Sequence, residues 1–301
     1  MRILLAGVNS YVGRRLIPFL AEMGHDVICL VRDKSLFDLH KAVPGKVTTI
    51  AGDLLRAQTL ASFPKDIDAA FYLVNSLSHT SGFAGLEALC ARNFTDELNK
   101  TECRQVITLS GIHRHSSPAA SSRQHVEEIL VTGKAALTVL RTTMVIGQGS
   151  MVMQLLNAIT GKDTIIVSQN WLKAYSQPIF VNDLLAYLEA CVLNEKTYDR
   201  KFEIGGPDVL PLRQMILTYI AFHKRNKPHI ITVPLLTPAM SSYLLNILAP
   251  VSYTMAKSIV EDLEYNNICR DNSIKTIIPR HCVNFKRSLS LSEQAPEPVY
   301  N

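Results

Sequence analysis

The sequence predicts a Rossmann-type α/β fold, a doubly wound parallel sheet, with a smaller C-terminal α/β region. Short apolar runs alternate with amphipathic helical patterns in the first half, and a glycine turn joins the first run to the first helix. Apolar residues make up 47% of the 301 residues, enough for a full core. We expect a dinucleotide-binding domain over residues 1–150, a cover region interleaved with it over 151–289, and a loose tail over 290–301.

Six apolar runs in the first half are the predicted strands. They are rich in Val, Ile and Leu and alternate little, as expected of strands that are covered on both faces. The runs are Arg2–Ala6, Asp26–Val31, Val47–Ala51, Ala69–Val74, Gln105–Leu109 and Ala136–Leu140. Between the first two runs, apolar residues at helical spacing predict a helix over Tyr11–Met23. Pro18 lies inside that helix, where we expect a kink or a lost backbone hydrogen bond.

The second half of the chain is less regular. Its patterns predict a helix over Val181–Leu193, a strand over Arg200–Ile204 and a helix over Leu210–His223. Either Asn182 or Asp183 is expected to cap the first of these helices, because both side chains accept hydrogen bonds from helical amides.

One long stretch, Ile230–Ala256, contains no charged residue and no histidine. It is long enough to cross a bilayer. However, Pro234, Pro238 and Pro250 would leave backbone groups without partners in lipid. We therefore predict two short helices that break near Pro250 and bury one face, with no transmembrane span. Basic residues at 224–227 leave peripheral contact with a membrane surface through residues 224–256 as an open alternative.

The glycine turn after the first strand reads Gly7-Val8-Asn9-Ser10-Tyr11-Val12-Gly13. Gly7 lets the chain leave the strand sharply, and Gly13 lets the helix pack closely on the sheet. The amides at the start of the helix then face a pyrophosphate. Ser10 stands where a middle glycine is usual, and its hydroxyl can donate to a phosphate oxygen. The predicted cofactor-binding residues here are Gly7, Asn9, Ser10, Tyr11, Val12 and Gly13; the alternative is a purely structural turn.

The second predicted strand is followed by Arg32, which lies 19 residues after Gly13. NAD-specific folds usually place an acidic residue there, on the ribose 2′-hydroxyl. A guanidinium matches the 2′-phosphate of NADP(H) through a forked, charge-assisted contact. We therefore predict NADP(H) as the cofactor, with NAD(H) as the alternative. The competing interpretation is a solvated surface arginine beside Asp33.

Polar residues also follow the third and fourth predicted strands. Asp53 is placed to accept from the adenine amino group, next to Leu54, or to cap a helix that begins there. Val74 and Asn75 end the fourth strand, at the carboxyl edge where ligands bind in open α/β sheets. We include all four residues in the predicted cofactor site.

Charge and cysteine content exclude some classes of function. A net charge of +5 is too small and too scattered to indicate a nucleic-acid partner. The six cysteines form no CxxC pair and no zinc spacing, so we predict no metal site and reduced thiols. The N-terminal apolar run is too short for a signal peptide, and we expect a cytoplasmic protein.

Together these residues resemble the short-chain dehydrogenase/reductase superfamily, in its atypical NmrA-like, nucleoside-diphosphate-sugar epimerase-like branch. The chain is also similar to the nucleotide-binding accessory subunit of respiratory complex I. The resemblance covers nearly the whole chain. It includes Gly52-Asp53-Leu54, Leu140-Arg141-Thr142, Gln177-Pro178-Ile179 and Phe202-Glu203-Ile204-Gly205-Gly206-Pro207. It implies an NAD(P)H-binding protein of reductase or epimerase ancestry, with a small-molecule substrate or a protein partner.

The chain departs from that family at the catalytic pair. Active members use a tyrosine as proton donor and a lysine four residues later, which holds the nicotinamide ribose. The corresponding positions here are Ala119 and Arg123, and no tyrosine lies between Tyr72 and Tyr175. Ser110 is near the position of the family's substrate-orienting serine and is expected to line the cofactor site.

The catalytic residues therefore stay open, with Ser110, Arg123 and His113 as candidates. The candidates for a replacement acid are His113, His115 and His125, with Tyr72 and Tyr175 as outsiders. A lone histidine in a polar loop is more often simply solvated. Two interpretations follow. In one, the chain is a slow oxidoreductase that acts on an unknown small molecule. In the other, it binds NADP(H) without turnover, as a redox sensor or as an assembly or regulatory partner.

Overall fold

The computed structural model describes residues 1–37, 46–74, 83–112, 114, 118–160, 165–168, 171–224, 229–232, 238–248 and 253–294. Its strands are β1 Arg2–Ala6, β2 Asp26–Val31, β3 Val47–Ala51, β4 Ala69–Tyr72, β5 Gln105–Gly111, β6 Ala136–Thr142, β7 Val145–Ile146, β8 Ile165–Ser168, β9 Tyr175–Ser176, β10 Ile179–Phe180, β11 Arg200–Ile204, β12 Leu210–Pro211 and β13 His229–Thr232. Its α-helices are α1 Tyr11–Glu22, α2 Phe83–Leu98, α3 Pro118–Leu130, α4 Met151–Ile159, α5 Val181–Ala190, α6 Leu212–Phe222, α7 Pro238–Leu248, α8 Tyr253–Leu263, α9 Ile274–Ile277 and α10 Phe285–Gln294.

A seven-stranded parallel sheet forms the centre of the fold, in the order β11-β6-β5-β4-β1-β2-β3. The chain begins at β1, builds outward to β3 and then returns to β4 on the other side of β1. Ligands bind at the carboxyl edge of such a sheet where the strand order reverses, here between β1 and β4. The predicted Rossmann-type fold is confirmed.

Both faces of the central strands are buried, which explains the unbroken apolar character of β1, β2 and β4. Ile3 and Leu5 face a core that they share with α1 and α5. Leu4 and Ala6 face the opposite side and pack against α2 and α3. All four side chains have 0% exposure. Because successive residues of a strand point to opposite faces, every position must be apolar when both faces are covered.

The cover region is built from short strand pairs and helices. β10 pairs with β7, β12 with β9 and β13 with β8. A third core cluster unites α4, α6 and α10, where Leu156, Met215 and Leu289 are buried together. One strand from the second half of the chain, β11, pairs with β6 and so belongs to the Rossmann sheet. The cover region and the sheet are therefore interleaved along the chain.

The predicted strands of the first half agree closely with the structure, but three details of the second half differ. Helix α5 ends at Ala190, and Phe180 is its N-cap, so neither Asn182 nor Asp183 caps it. Asp183 is buried in its first turn instead and accepts from the Val283 amide at 2.9 Å. Residues 290–294 are not part of a loose tail, because they complete α10.

The uncharged stretch forms part of β13 and then two helices, α7 and α8, on either side of Pro250. This agrees with the prediction of two short helices, although residues 249–252 lie outside those described. α7 and α8 pack mainly against each other. Among the residues that the structure describes, no helix combines the length and the apolar character needed to cross a membrane.

Candidate dinucleotide site

The glycine turn leaves β1 at Gly7, whose φ of +93° lies in the left-handed region. A Cβ at this position would overlap the carbonyl of Leu73 and lie 2.7 Å from the amide nitrogen of Val74. Both the backbone conformation and the close approach therefore require glycine. The same contact brings the turn against the carboxyl end of β4, where the strand order of the sheet reverses.

Helix α1 starts directly on this turn. A Cβ on Gly13 would overlap the carbonyl oxygen of Gly7 and lie 2.8 Å from Oγ of Ser10. Ser10 is the N-cap of α1: its Oγ accepts from the Gly13 amide at 3.0 Å and donates to the Gly7 carbonyl at 2.7 Å. The hydroxyl proton of Ser10 is therefore used in the hydrogen bond to Gly7. A phosphate contact at this position would come from the backbone amide.

The start of α1 also contacts the segment after β7, which the sequence did not reveal. The Arg15 guanidinium stacks 4.0 Å from the centre of the Tyr11 ring and donates to the Gln148 carbonyl at 2.6 Å. A Cβ on Gly147 would overlap Oη of Tyr11 and lie 2.7 Å from Cγ1 of Val181. The absence of a side chain at Gly147 thus makes room for Tyr11.

Arg32 follows β2 directly and its side chain is exposed. Its neighbour Asp33 accepts from the amide and the hydroxyl of Ser35, at 2.8 and 2.6 Å. These hydrogen bonds lower the pKa of Asp33. In the described part of the chain Arg32 forms no ion pair, so its guanidinium can receive an anionic ligand.

Asp53 lies at the end of β3 and shapes a turn, because its Oδ1 accepts from the Leu55 amide at 3.0 Å. It does not cap a helix that starts at Leu54: the next helical residues form a 3₁₀ helix, Ala57–Leu60, for which Arg56 is the cap position. The Leu54 carbonyl accepts from Nδ2 of Asn93 on α2 at 2.7 Å.

The thiol of Cys90 on α2 lies within electrostatic range of both Arg32 and Asp53. Its pKa is raised to about 11, mainly by burial; the charges of Asp53 and Glu87 add to the rise, and the charge of Arg32 opposes it. Both side chains therefore act on the same thiol, from the ends of β2 and β3.

The other half of the carboxyl edge contains a buried ion pair. Arg123 on α3 lies with Nη2 3.5 Å from Oε1 of Glu87 and donates through Nη1 to the Val74 carbonyl at 3.4 Å. Glu87 is 2% exposed and accepts from Oγ of Ser122 at 2.6 Å. Burial lowers the pKa of Arg123 and the charge of Glu87 raises it. Arg123 thus stands beside Val74 with an acidic partner that the sequence analysis missed.

The remaining catalytic candidates are placed less favourably. Ser110 ends β5 beside Arg141 of β6 and is partly exposed. His125 is exposed on α3, 3.5 Å from Glu128. Tyr72 is 2% exposed under α2, and burial raises its pKa far above the usual value. His113, His115 and Asn75 lie outside the described residues.

Residues 7–146 match the NAD(P)H-binding family. The matching segment makes up just under half of the chain. It runs from the first glycine of the turn to the end of β7, so it contains every residue predicted for the cofactor site. The resemblance to short-chain dehydrogenases and sugar-nucleotide epimerases agrees with this match; the relation to a complex I subunit stays a prediction.

Known proteins resemble the chain well beyond this segment in fold, at low identity. Triphenylmethane reductase from Citrobacter sp. has a TM-score of 0.75 at 12% identity, over 98% of this chain and 100% of that one. A nucleoside-diphosphate-sugar epimerase from Staphylococcus aureus has a TM-score of 0.71 at 13% identity, over 95% and 98%. In sequence, 101 residues are 28% identical to a 3-beta-hydroxysteroid dehydrogenase from Mycolicibacterium neoaurum, which is 34% of this chain and 26% of that enzyme. The match therefore spans about a quarter of the enzyme's length.

The Rossmann domain also contacts the cover region near the carboxyl end of β5. The contact is made by Arg114, a residue that sequence reasoning did not identify. Arg114 donates through Nη2 to Glu203 at 2.8 Å and to the Ile268 carbonyl at 2.6 Å. Glu203 also accepts from the Arg270 amide at 2.6 Å. Burial raises the pKa of Glu203, but these hydrogen bonds outweigh it and lower the pKa. Residues 268–271 are thereby fastened over the carboxyl ends of β5 and β11.

Proposed function

We propose that the chain binds NADP(H) in preference to NAD(H). Gly7, Gly13 and the first turn of α1 hold the pyrophosphate, Arg32 receives the 2′-phosphate and Asp53 accepts from the adenine. The observation that carries the proposal is the exposed Arg32 guanidinium at the end of β2, within electrostatic range of the same thiol as Asp53. A forked cation fits a phosphate monoester better than it fits a ribose hydroxyl.

Titration of the wild type and of Arg32→Ala with NADPH and NADH tests this preference. Loss of a charge-assisted contact removes about 1.5–3 kcal/mol, so NADPH should bind roughly 10- to 150-fold more weakly to the variant. NADH affinity should stay unchanged. Arg104→Ala is the matched control, since this exposed arginine precedes β5 at the opposite edge of the sheet. Equal affinity of the wild type for NADPH and NADH would refute the proposal.

We further propose that the chain does not use the tyrosine–lysine chemistry of its relatives, and that it is at most a slow oxidoreductase. A carbonyl acceptor needs a proton as well as a hydride, and Ala119 at the donor position in α3 has none to give. When bound, a reduced nicotinamide supplies the hydride. An acceptor that is itself a cation, such as a triphenylmethane dye, becomes neutral on receiving a hydride and needs no acid. The fold shared with a triphenylmethane reductase favours acceptors of that kind.

The alternative is an NADP(H)-binding sensor or regulatory partner without turnover. It is favoured by the internal contacts of the nicotinamide half of the carboxyl edge, the part built from Glu87, Arg123, Arg114 and Glu203. There Glu87 forms an ion pair with Arg123, and Arg114 donates a hydrogen bond to the Ile268 carbonyl. NADPH oxidation separates the two functions, assayed with malachite green and with a panel of carbonyl compounds. Turnover of the dye alone supports the oxidoreductase. No turnover of any acceptor, with NADPH bound, supports the sensor.

The double variant Ala119→Tyr/Arg123→Lys tests the absence of the catalytic pair directly. A positioned general acid contributes about 10²- to 10⁴-fold in rate, so carbonyl reduction should appear only in this variant. Arg123→Lys alone is the control, because it restores the lysine without a proton donor. Fast carbonyl turnover by the wild type, abolished by Tyr175→Phe, would overturn this part of the proposal.

A further inference from the structure

A cavity of about 400 Å³ lies at the carboxyl end of β11, the edge strand of the sheet. This outer cavity is lined by Gly205, Gly206, Pro207, Lys275, Pro279, Arg280, His281 and Cys282. None of these residues belongs to the glycine turn or to the surroundings of Arg32 and Asp53. Its volume lies within the range of small-molecule sites. The outer cavity is thus separate from the residues assigned to the dinucleotide.

The walls of the outer cavity carry basic side chains and no acid. Lys275 and His281 are exposed, and among the described residues neither side chain forms a hydrogen bond or an ion pair. Arg280 pairs with Asp183 through Nε, at 3.3 Å, and its Nη groups can still donate to a ligand. The Lys275 ammonium and the remaining donors of Arg280 and His281 favour an anion at this wall.

The acids nearest the outer cavity are already engaged by other parts of the chain. Asp183 accepts from the Val283 amide at 2.9 Å, in addition to its contact with the arginine. Asp271 accepts from both the amide and the hydroxyl of Ser273, each at 2.8 Å. Glu203 is held by the bonds to Arg114 and to the backbone of residues 270–271. Asp183 therefore compensates the charge of Arg280 in part, whereas the Lys275 side chain has no acidic partner among the described residues.

Close packing fixes the floor of the outer cavity. A Cβ on Gly206 would overlap the Pro178 carbonyl, and one on Gly205 would lie 2.8 Å from Cγ of Gln177. Only glycine fits at either position, so the floor is bare backbone. Burial raises the pKa of the Cys282 thiol, which keeps this wall residue neutral and adds no competing negative charge.

We infer that the outer cavity binds an oxyanion, the phosphate or carboxylate group of a small metabolite. Lys275 and the Nη groups of Arg280 contact the oxyanion, and His281 closes the site from the solvent side. Pro207 and Pro279 pack against the organic part of the ligand, since proline offers apolar surface that is already rigid. This site is independent of the dinucleotide and of the proposed function.

Calorimetric titration of the full chain with inorganic phosphate tests the inference, with potassium chloride at equal ionic strength as the blank. The titration is made on Arg32→Ala, so that phosphate does not report on the 2′-phosphate site. Saturable binding by a single phosphate is expected. Additional Lys275→Gln should weaken it about tenfold, by removing one charge-assisted hydrogen bond. A parallel titration with acetate shows whether phosphate esters or carboxylates are preferred.

Lys286→Gln is the matched control for Lys275→Gln. Lys286 is also exposed and changes the net charge equally, but it lies on α10 and does not line the outer cavity. It should leave phosphate affinity unchanged. His281→Glu, a charge reversal at an exposed position, should abolish binding while the melting temperature stays constant. Phosphate heat no larger than that of chloride would refute the inference, as would equal weakening by the two lysine variants.

Discussion

The two halves of the sheet's carboxyl edge differ in how they are built. The adenosine half consists of the glycine turn, Arg32 and Asp53, all within the first 53 residues, and its internal bonds join near neighbours in sequence. The nicotinamide half is assembled from distant segments: Glu87 with Arg123, and Arg114 with Glu203. The first half keeps the outer glycines of the turn, whereas the second has Ala119 and Arg123 at the positions predicted for the family's catalytic pair.

The proposed function separates dinucleotide binding from hydride chemistry on one fold. The glycine turn cannot change without cost, because its shape is enforced by backbone packing against Leu73 and Val74. Ala119 and Arg123, at the positions predicted for the family's tyrosine and lysine, lie on a regular helix, α3. Loss of the catalytic pair therefore leaves the architecture intact, whereas loss of a turn glycine would not.

The largest effect on stability is expected from Gly7→Ala, which would break the adenosine half. The φ of +93° strains any side chain, and the added Cβ overlaps backbone that cannot move aside. Strain and overpacking together should cost about 3–5 kcal/mol of unfolding free energy. Urea denaturation measures the loss, and NADPH titration of the folded fraction should show no saturation.

Gly85→Ala is the control for that experiment. Gly85 lies in the first turn of α2, and a Cβ there meets no atom of the described residues within 4 Å. Alanine is the better helix former, so stability should rise by up to about 1 kcal/mol. If Gly7→Ala and Gly85→Ala lowered the unfolding free energy equally, close packing around Gly7 would not be the reason that glycine is required there.

The next effect concerns α3, the helix that carries Arg123 in the nicotinamide half. Glu127 on α3 is 3% exposed and contacts Arg141 at 2.5 Å and Lys201 at 2.9 Å. Burial alone would raise its pKa, but the hydrogen bonds from both partners outweigh burial and lower it. Arg141 and Lys201 are partly solvated, so the loss is smaller than for a fully buried ion pair. Glu127→Gln should lower the free energy of unfolding by about 1–3 kcal/mol.

The pH dependence of this loss follows from the sign of the shift. A carboxyl group whose pKa is lower in the folded state stabilises the fold above its ordinary value of 4.5. That contribution disappears as the pH falls through the folded-state pKa. The difference in unfolding free energy between the wild type and Glu127→Gln should therefore be full at pH 7 and shrink below about pH 4. Glu128→Gln, at the exposed neighbouring position, should show almost no difference at either pH.

Sequence reasoning was most successful where the determinants are local. The bounds of β1, β2, β3 and β11 agree with the structure residue for residue, because each run is apolar on both faces or bounded by turn residues. The glycine turn was recognised because its strand, turn and helix are consecutive. Arg32 and Asp53 were found by their positions at the ends of successive strands.

The failures involve partners that lie far away in sequence. Asp183 was expected to cap α5, but it binds the amide of Val283, 100 residues later. The polar segment after residue 290 suggested a tail, whereas α10 buries Leu289 in a core with α4 and α6. Glu87 gave no local signal at all, since only the folded sheet brings α2 beside Arg123. Tertiary contacts of this kind override local preferences.

The smallest effect is expected from substitutions of Ser10, which lies in the glycine turn of the adenosine half. Its hydroxyl was expected to donate to a phosphate, yet it caps α1 and bonds the Gly7 carbonyl. If capping is its main role, Ser10→Ala should lower stability by about 1 kcal/mol, and Ser10→Gly by only a few tenths, because glycine is tolerated as an N-cap. NADPH affinity should change by less than about twofold in either variant, since a backbone contact to the phosphate survives both substitutions. A tenfold loss of NADPH affinity in both variants, with stability unchanged, would instead assign the hydroxyl to the cofactor and make Ser10 a direct phosphate ligand.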